Sequence, residues 1–413
     1  MSTILFLAPR FPWPLIGGDR VKPYHLLKHL ASRHRVILVA FNHGGPATAE
    51  QRRAIEDLGV EVHDVPLNPY AAALASVRTL TTGLPLEIAF YTRPDFARIV
   101  DEILATTTVD LGISFFMRTA EYLRHRSMKK VLIAEDCRVE YQTRSAHAAR
   151  SMHQKLVRWW ETRKLRVYEP SIVHDFDVTT FVSPEDVMAM TNLEPRATYK
   201  VVTNGVDLET FSFRDTIDQR EGLLFTGKLD VLANDLMAKM IISDILPDVR
   251  QRYPDTILTV AGAYPKSSLK AMATAYVRIE GQVPDIVPYL HGAAVYVHPH
   301  HGGSGIQNKV LEAMAAGCPV VTTPSGLQGI EAVDGVHALV ATDAEAIGRN
   351  IVTLLGDADL RRRLAHSARQ LMERTHTWDV VGQQLDAVLA PYGLEHHHSG
   401  SWHEQPSSSI VTE

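Results

Sequence analysis

The sequence predicts an α/β protein made of two doubly wound, Rossmann-like domains that face each other across a cleft. Short apolar runs alternate with longer amphipathic stretches, a pattern typical of parallel strands covered by helices on both faces. This rhythm stops at a polar stretch, Arg214–Glu221, and then restarts. The length of 413 residues is also too great for one ordinary core.

The apolar runs and the amphipathic stretches each predict elements in order along the chain. The first series predicts strands at Ile4–Ala8, Val36–Phe41, Val60–Val65, Leu111–Phe116, Val131–Ala134, Val178–Val182 and Lys200–Thr203. The second series predicts strands at Leu223–Thr226, Ile257–Ala261, Ala294–His298, Val320–Thr323 and Ala338–Ala341. Helices are predicted at Tyr24–Ser32, Pro94–Ala105, Asp343–Leu355, Ala358–Arg374 and Trp378–Ala390.

These series divide the chain into an N-terminal domain at 1–205, a linker at 206–221 and a C-terminal domain at 222–375. We expect the last helix, about 376–392, to pack back on the N-terminal domain, and the polar tail 394–413 to be disordered. Ligands of doubly wound sheets bind beyond the carboxyl ends of the strands. The cleft between the domains is therefore the expected site.

Composition and charge exclude several classes of protein. A formal net charge of −5 argues against a broadly basic nucleic-acid binder, so no nucleic-acid partner is expected. Cys137 and Cys318 are far apart and lack metal-ligand spacing, which is typical of a reducing cytoplasm. The first apolar run is too short for a signal peptide, and no run approaches the roughly 18 residues needed to span a bilayer. The adjacent histidines at 396–398 are not expected to bind a metal.

The segment 298–317, HPHHGGSGIQNKVLEAMAAG, is the most informative in the chain. A predicted strand ends near His298, a glycine-rich loop follows, and a helix is predicted from Ile306 to Gly317. Free backbone N–H groups and the positive end of the helix dipole make such a junction an anion site. The glycines allow a phosphate to approach the backbone closely.

Two charged residues on the predicted helix fit a nucleoside diphosphate. Lys309 lies in the first turn, where its charge opposes the helix dipole unless an anion is close by. Glu312 follows three residues later on the same face and can accept hydrogen bonds from two ribose hydroxyls. The alternative interpretation is a well-capped core helix, but packing alone does not require three glycines before the helix.

This segment resembles the retaining glycosyltransferases of family 4, which have the GT-B fold. In that family two glutamates lie eight residues apart, and the second, which holds the ribose, matches Glu312. The first contacts the transferred sugar and falls here on Ser304, which is a departure from the family pattern. The run Gly305–Glu312 resembles a subgroup tied to exopolysaccharide gene clusters that also lacks the first glutamate.

Further motifs extend the resemblance over about Leu223–Thr323. Lys228 matches a basic residue that binds the donor diphosphate, whereas the family's second lysine falls on Ala233, so Lys309 is a candidate substitute. Val283 matches the loop that reads the nucleotide base. The donor-binding residues that the resemblance implies are Gly17, Gly18, Gly227, Lys228, Val283, Ser304, Gly305, Ile306, Gln307, Asn308, Lys309 and Glu312.

The N-terminal half carries fewer signals. Gly17 and Gly18 lie in a loop after the first strand, which the resemblance places at the cleft. Asp136 follows a predicted strand and is our candidate for the residue beside the reacting sugar, with Glu135 second. Asp136 has the alternative role of capping the next helix. Arg20 is a further candidate for phosphate contact, or a surface residue.

The resemblance implies a glycosyltransferase that moves a sugar from a nucleotide-sugar donor to a saccharide, lipid-linked or small-molecule acceptor and retains the anomeric configuration. Asp136, Lys228 and Lys309 are the candidate catalytic residues. No cofactor and no metal are expected, because lysines and a helix N-terminus can stabilise the leaving diphosphate. Two alternatives remain open: a GT-B-type sugar-nucleotide epimerase, and a non-catalytic partner subunit of the same shape.

A basic stretch from Arg124 to Arg166 suggests a membrane surface. Trp159 and Trp160 lie within a predicted helix at Gln154–Val167, and basic residues outnumber acidic ones. Such a helix suits an anionic membrane or a pyrophosphate-linked lipid acceptor, although a run of charges usually marks only a solvated helix face. We expect a cytoplasmic protein, with the inner face of the cell membrane as a candidate location.

Overall fold

The computed structural model describes residues 1–77, 82–147, 152–302 and 305–393. It contains two fully parallel sheets, one of seven strands and one of six. The strands of the first sheet are β1 Thr3–Ala8, β2 Arg35–His43, β3 Val60–Leu67, β4 Leu111–Phe115, β5 Lys129–Glu135, β6 Val178–Phe181 and β7 Tyr199–Val201. The strands of the second are β8 Glu221–Thr226, β9 Leu258–Ala261, β10 Val277–Gly281, β11 Ala293–His298, β12 Val320–Thr322 and β13 Leu339–Val340.

Helices connect the strands and cover both faces of each sheet. In the first half they are α1 Gly18–Ala31, α2 Ala49–Glu56, α3 Pro69–Val77, α4 Leu86–Tyr91, α5 Pro94–Thr106, α6 Arg138–His147, α7 Met152–His174 and α8 Pro184–Leu193. In the second half they are α9 Leu232–Met240, α10 Leu246–Arg252, α11 Ser267–Lys270, α12 Val287–Gly292, α13 Asn308–Ala315, α14 Ala344–Gly356, α15 Ala358–Thr375 and α16 Trp378–Leu389. Short 3-10 segments lie at Met117–Tyr122, Ile217–Gln219, Pro324–Leu327 and Ala390–Tyr392, and a π-helical turn at Ile241–Ile245.

The strand order identifies where each sheet binds ligands. The first sheet has the order β3-β2-β1-β4-β5-β6-β7 and the second β10-β9-β8-β11-β12-β13. In each sheet the winding direction therefore reverses once, between β1 and β4 and between β8 and β11. Such a switch point opens a crevice beyond the carboxyl ends of the two strands. The predicted fold class, GT-B with two doubly wound domains, is confirmed.

The last helix returns to the first half of the molecule. Val381, Leu385 and Leu389 on α16 are buried among residues of β1, β2 and α1. The Asp386 carboxylate also accepts hydrogen bonds from His29 at 2.8 Å and from Arg33 at 2.6 Å. The chain thus crosses between the two halves twice, before β8 and before α16.

Several boundaries differ from the sequence prediction, and two of the differences concern the second sheet. Strand β10 was not predicted, because its sequence, VRIEG, alternates apolar and charged residues at the edge of the sheet instead of forming an apolar run. Strand β8 begins at Glu221, which the sequence analysis placed in the linker. The predicted tail at 394–413 lies outside the described residues.

Candidate active site

The carboxyl ends of β8 and β11 carry the segments that the sequence analysis selected. Gly227 and Lys228 follow β8, and the glycine loop follows β11, so both flank the switch point of the second sheet. Backbone segments approach closely here: a Cβ on Gly262 would lie 1.7 Å from the Gly227 carbonyl oxygen. Only glycine fits at such an approach.

Helix α13 begins at Asn308, two residues later than predicted, and its N-terminus points to this crevice. Gln307 precedes it without a side-chain capping bond, so the first N–H groups of the helix have no side-chain partner from that position. Gly305 has a φ of +73°, a left-handed conformation that glycine adopts without strain. Ser304 lies outside the described residues. Ile306 is buried and packs in the core beneath the helix.

Asn234, which was not predicted as a site residue, connects the Lys309 side chain to the backbone of Lys228. The Asn234 amide accepts a hydrogen bond from Lys309 Nζ at 3.0 Å and donates one to the Lys228 carbonyl at 2.9 Å. A Cβ on Gly227 would lie 2.9 Å from Asn234 Cγ, so this glycine admits the asparagine. The Lys228 side chain is itself 59% exposed and lies 3.5 Å from Asp230.

Burial affects both charged residues of α13. Burial lowers the pKa of Lys309 to about 8, although Glu312 partly opposes this by stabilising the ammonium. Burial raises the pKa of Glu312, with Lys309 opposing. Within the part of the chain that the structure describes, the Glu312 carboxylate has no hydrogen-bond partner from the protein. Both groups are therefore available to a ligand with phosphates and hydroxyls.

Residues of the N-terminal half come against α13 and the glycine loop. A Cβ on Gly18 would lie 2.8 Å from Asn308 Nδ2, and one on Gly305 would lie 3.7 Å from Asp136 Cβ. The Asn308 side chain also accepts a hydrogen bond at 2.9 Å from Asn204, in the crossover before β8. Gly17 has a φ of +87° and directly precedes α1. The predicted residues from both halves therefore converge on one cleft.

Two other predicted residues lie at the edges of this group. Val283 is partly buried and packs in the same core cluster as Ile306. Glu135, the second candidate beside Asp136, is buried and pairs with Lys22 at 2.6 Å. Lys22 also donates to the Val202 carbonyl at 2.8 Å, so Glu135 belongs to an internal ion pair. Asp136 lies 3.4 Å from Arg138 Nη1.

No group of three or more histidine, cysteine, aspartate or glutamate residues suited to a metal occurs among the described residues. Among the helices of the described ranges, none is long and apolar enough to cross a membrane.

Comparison with known proteins agrees with the geometry of the second half. Residues 220–357 match the family described as Glycosyl transferases group 1. The phosphatidyl-myo-inositol mannosyltransferase of Mycobacterium tuberculosis is 31% identical over 204 residues, which cover 45% of this chain and 52% of the relative. A GDP-mannose-dependent monoacylated alpha-(1-6)-phosphatidylinositol monomannoside mannosyltransferase of Corynebacterium glutamicum is 26% identical over 239 residues, covering 52% of this chain and 62% of the relative. The match to the mycobacterial relative spans about half of its length.

Solved structures share the whole fold. Sucrose-phosphate synthase from Thermosynechococcus elongatus superposes with a TM-score of 0.70 at 17% identity, over 95% of this chain and 99% of that one. The Anabaena HepE protein in complex with UDP-glucose superposes with a TM-score of 0.67 at 16% identity, over 95% and 100% of the two chains. Residues 220–357 therefore match a glycosyltransferase family model, within a chain that has the GT-B fold.

Proposed function

We propose that this protein transfers a sugar from a nucleotide-sugar donor to a saccharide, lipid-linked or small-molecule acceptor, with retention of the anomeric configuration. The observation that carries the proposal is the position of Lys309 and Glu312 on one face of α13. They lie within the matched glycosyltransferase domain, at a cleft that Gly18 and Asp136 close from the other side. The relatives named as mannosyltransferases and the HepE complex with UDP-glucose support a donor of this class.

The proposed donor lies along the carboxyl ends of β8 and β11. Its diphosphate faces the N-terminus of α13, with Lys309 and the exposed Lys228 as cations. The ribose hydroxyls bind the Glu312 carboxylate, and the base lies near Val283. Gly17 and Gly18, at the start of α1, approach the phosphates from the opposite domain, and their lack of side chains leaves room for the phosphates.

The transferred sugar then lies beside the point where Gly305 and Asp136 approach each other. The two lysines and the helix dipole stabilise the charge that develops on the departing diphosphate, so the reaction as proposed needs no divalent metal. The acceptor hydroxyl attacks from the face that the diphosphate leaves and passes its proton to a phosphate oxygen. Closure of the two domains excludes water and limits hydrolysis of the donor.

The experiment that tests the proposal is a thermal-shift panel of nucleoside diphosphates and nucleotide-sugars. A ligand at 100 times its Kd stabilises the folded chain by about 2.7 kcal/mol, enough for a clear rise in Tm. Glu312→Gln is expected to weaken the binding of the preferred nucleotide by about tenfold, because the hydrogen bonds to a charged acceptor are lost. Glu345→Gln, at an exposed position on α14, is the matched control. The absence of any shift across the panel would reject the proposal.

Product analysis separates transfer from the alternatives. Release of the nucleoside diphosphate together with a glycosylated acceptor supports transfer, whereas conversion of the donor sugar without an acceptor identifies an epimerase. If Glu312→Ala leaves the cellular glycan unchanged while deletion of the gene abolishes it, the chain acts as a non-catalytic subunit.

We also propose that helix α7 contacts an anionic membrane, which would present a lipid-linked acceptor. Leu156, Trp159 and Val167 expose 65%, 56% and 72% of their surface, although large apolar residues favour burial. Lys155 and Arg163 lie exposed on the same helix. In liposome flotation with anionic lipid at low salt, Leu156→Ala/Trp159→Ala is expected to reduce binding several-fold. Met188→Ala on α8, also exposed, is the control, and no flotation of the native chain would refute the contact.

A further inference from the structure

Two arginines and a glutamate form an ion cluster at the cleft edge of the first sheet. Arg118 Nε donates to Glu87 Oε1 at 2.6 Å, and Arg138 Nη2 donates to Glu87 Oε2 at 2.7 Å. Arg118 follows β4 and Arg138 follows β5, so both arise beyond the carboxyl ends of adjacent strands. That edge is where doubly wound sheets bind ligands.

The charges of this cluster are arranged around a single carboxylate, that of Glu87, whose side chain is only 18% exposed. Burial alone would raise the pKa of Glu87, but the two guanidinium groups outweigh it and lower the pKa to about 2. Glu87 is therefore ionised and shared by two cations. Arg118 uses only its Nε to donate to an acceptor among the described residues, so both of its Nη groups remain available. The Arg118 and Arg138 side chains are 26% and 14% exposed, which leaves each guanidinium accessible in part.

Aromatic rings fix the direction of both guanidinium groups. Arg118 lies 5.0 Å from the centre of the Phe116 ring and 5.6 Å from that of Tyr91. Arg138 lies 4.4 Å from the centre of the Tyr141 ring. Stacked and ion-paired on one side, an arginine presents its remaining N–H groups in a rigid fork that matches a phosphate or carboxylate.

The backbone at this edge is strained, which is a second and independent observation. Phe116, which directly follows β4, and Glu135, the last residue of β5, have φ values of 62° and 72°, left-handed conformations that are uncommon outside glycine. Strain of this kind costs free energy and persists where the surrounding structure enforces it, most often at ligand sites. In this protein the two strained residues directly precede the segments that carry Arg118 and Arg138.

The cluster also lies next to the proposed donor. Arg138 Nη1 is 3.4 Å from Asp136 Oδ2, and Asp136 is the neighbour of Gly305 across the cleft. A line therefore runs from the glycine loop through Asp136 and Arg138 to Arg118. An acceptor whose hydroxyl reaches the transferred sugar would extend along this line, over the guanidinium groups.

We propose that Arg118 and Arg138 bind an anionic group of the acceptor, a phosphoryl or carboxylate group close to the hydroxyl that receives the sugar. This inference rests on the proposed function and names the chemical class of its acceptor. Bidentate hydrogen bonds from arginine to such oxyanions are shorter and stronger than neutral ones. Glu87 keeps the two cations in position and competes with the acceptor for their N–H groups.

The test uses calorimetric titration of the full chain saturated with UDP, which occupies the proposed diphosphate site. Glucose 6-phosphate, glucuronate and glucose serve as probes of a phosphoryl, a carboxylate and a neutral sugar. We expect at least one anionic sugar to bind more tightly than glucose, and Arg118→Gln to weaken it by about tenfold or more. Arg118→Lys keeps the charge without the fork and should give an intermediate loss. Arg98→Gln, at an exposed ion pair on α5, should change nothing.

Glu87→Gln distinguishes a binding site from a structural ion cluster. Removal of the competing carboxylate should tighten binding of the anionic sugar severalfold, even where it lowers the Tm. A cluster with only a structural role would lose stability and gain no affinity, and that result would overturn the proposal. Equal binding of all three sugars, or of the anionic sugar to Arg118→Gln and the native chain, would overturn it as well.

The design separates this proposal from the proposed function. If UDP and the other nucleotides fail to bind, the donor assignment fails, and the same titrations are then made on the free chain and on Lys309→Gln. If binding of the anionic sugar still depends on Arg118 in the Lys309→Gln variant, that result supports the anion site independently of the donor assignment. Loss of anion binding in Lys309→Gln alone assigns the anion to the diphosphate site and overturns the proposal.

Discussion

Lys309 shows how a single residue can be unfavourable to its own helix and useful to a ligand. It lies in the first turn of α13, where the helix dipole opposes a cation, and burial lowers its pKa to about 8. Its neighbours Asn234 and Glu312 offset only part of this cost. An anion bound at the N-terminus of α13 would reverse both effects.

This leads to a prediction about proton uptake. A bound diphosphate places negative charge beside Lys309 and raises its pKa from about 8, so nucleotide binding at about pH 9 should take up a proton. The affinity should accordingly fall as the pH rises through 8 towards 10. Calorimetry in two buffers of different ionisation enthalpy measures the uptake. Lys309→Arg should bind without it, since arginine stays charged. Equal uptake by both proteins would contradict the assignment.

The residue scale also shows where sequence reasoning stops. Lys309 and Glu312 could be predicted because their chemistry depends on local spacing within one helix. Asn234, Glu87 and Arg118 carry no such signal, since each acquires its role from partners distant in the chain. An arginine after a strand is recognisable only when the neighbouring strand and the carboxylate between them are known.

At the scale of the element, α13 is set by its two ends. It ends in a Schellman motif: Cys318 N–H donates to the Ala313 carbonyl at 2.8 Å and Gly317 N–H to that of Met314 at 3.2 Å. Gly317 has a φ of +72°, as a glycine at this position requires. The sequence predicted this end because glycine marks it directly. The start was predicted two residues too early, because Ile306 is an apolar core residue like those of the helix, although the helix itself begins only at Asn308.

The end of α13 can be tested with a matched pair of glycines. Gly317 and Gly335 have nearly equal φ values of +72° and +73°, but a Cβ on Gly317 would lie 2.5 Å from Phe213, whereas one on Gly335 meets no atom within 4 Å. Gly335→Ala should cost about 1 kcal/mol from the backbone alone. Gly317→Ala should lower the free energy of unfolding by about 1–3 kcal/mol more, because its Cβ overpacks against Phe213. Urea unfolding measures both, and equal shifts would show that Phe213 moves aside freely.

At the scale of the whole molecule, the two halves are joined by crossings that lie side by side. Val206 N–H donates to the His376 carbonyl at 2.7 Å, and His376 Nδ1 lies 2.8 Å from the Asn204 carbonyl. The His25 ring on α1 stacks on Trp378 at 4.1 Å, just after the second crossing. Asn204 in turn bonds Asn308 at the start of α13. The crossings therefore connect the donor helix to the interface between the halves.

This arrangement predicts that α16, near the end of the sequence, stabilises the strands β1 and β2 at its beginning. Leu385 on α16 is fully buried among residues of β1 and β2, while Leu371 on α15 is buried in the core beneath α13. Leu385→Ala should destabilise by about 2–5 kcal/mol, the usual cost of a cavity of that size. Hydrogen exchange should locate the loss of protection in β1 and β2, at the opposite end of the sequence.

Leu371→Ala is the matched control for that experiment, because it removes the same atoms from a helix only a few residues earlier in the chain. Its loss of protection should appear in α13 and β12 and should spare β1 and β2. The two substitutions are thus expected to weaken different halves of the molecule, although they lie in consecutive helices. If both substitutions weakened the second half, α16 would belong to the second core, and its packing on β1 and β2 would not stabilise the first half. Opposite patterns would establish that α16 belongs to the first core, and that any movement of the two halves must bend the segment before it.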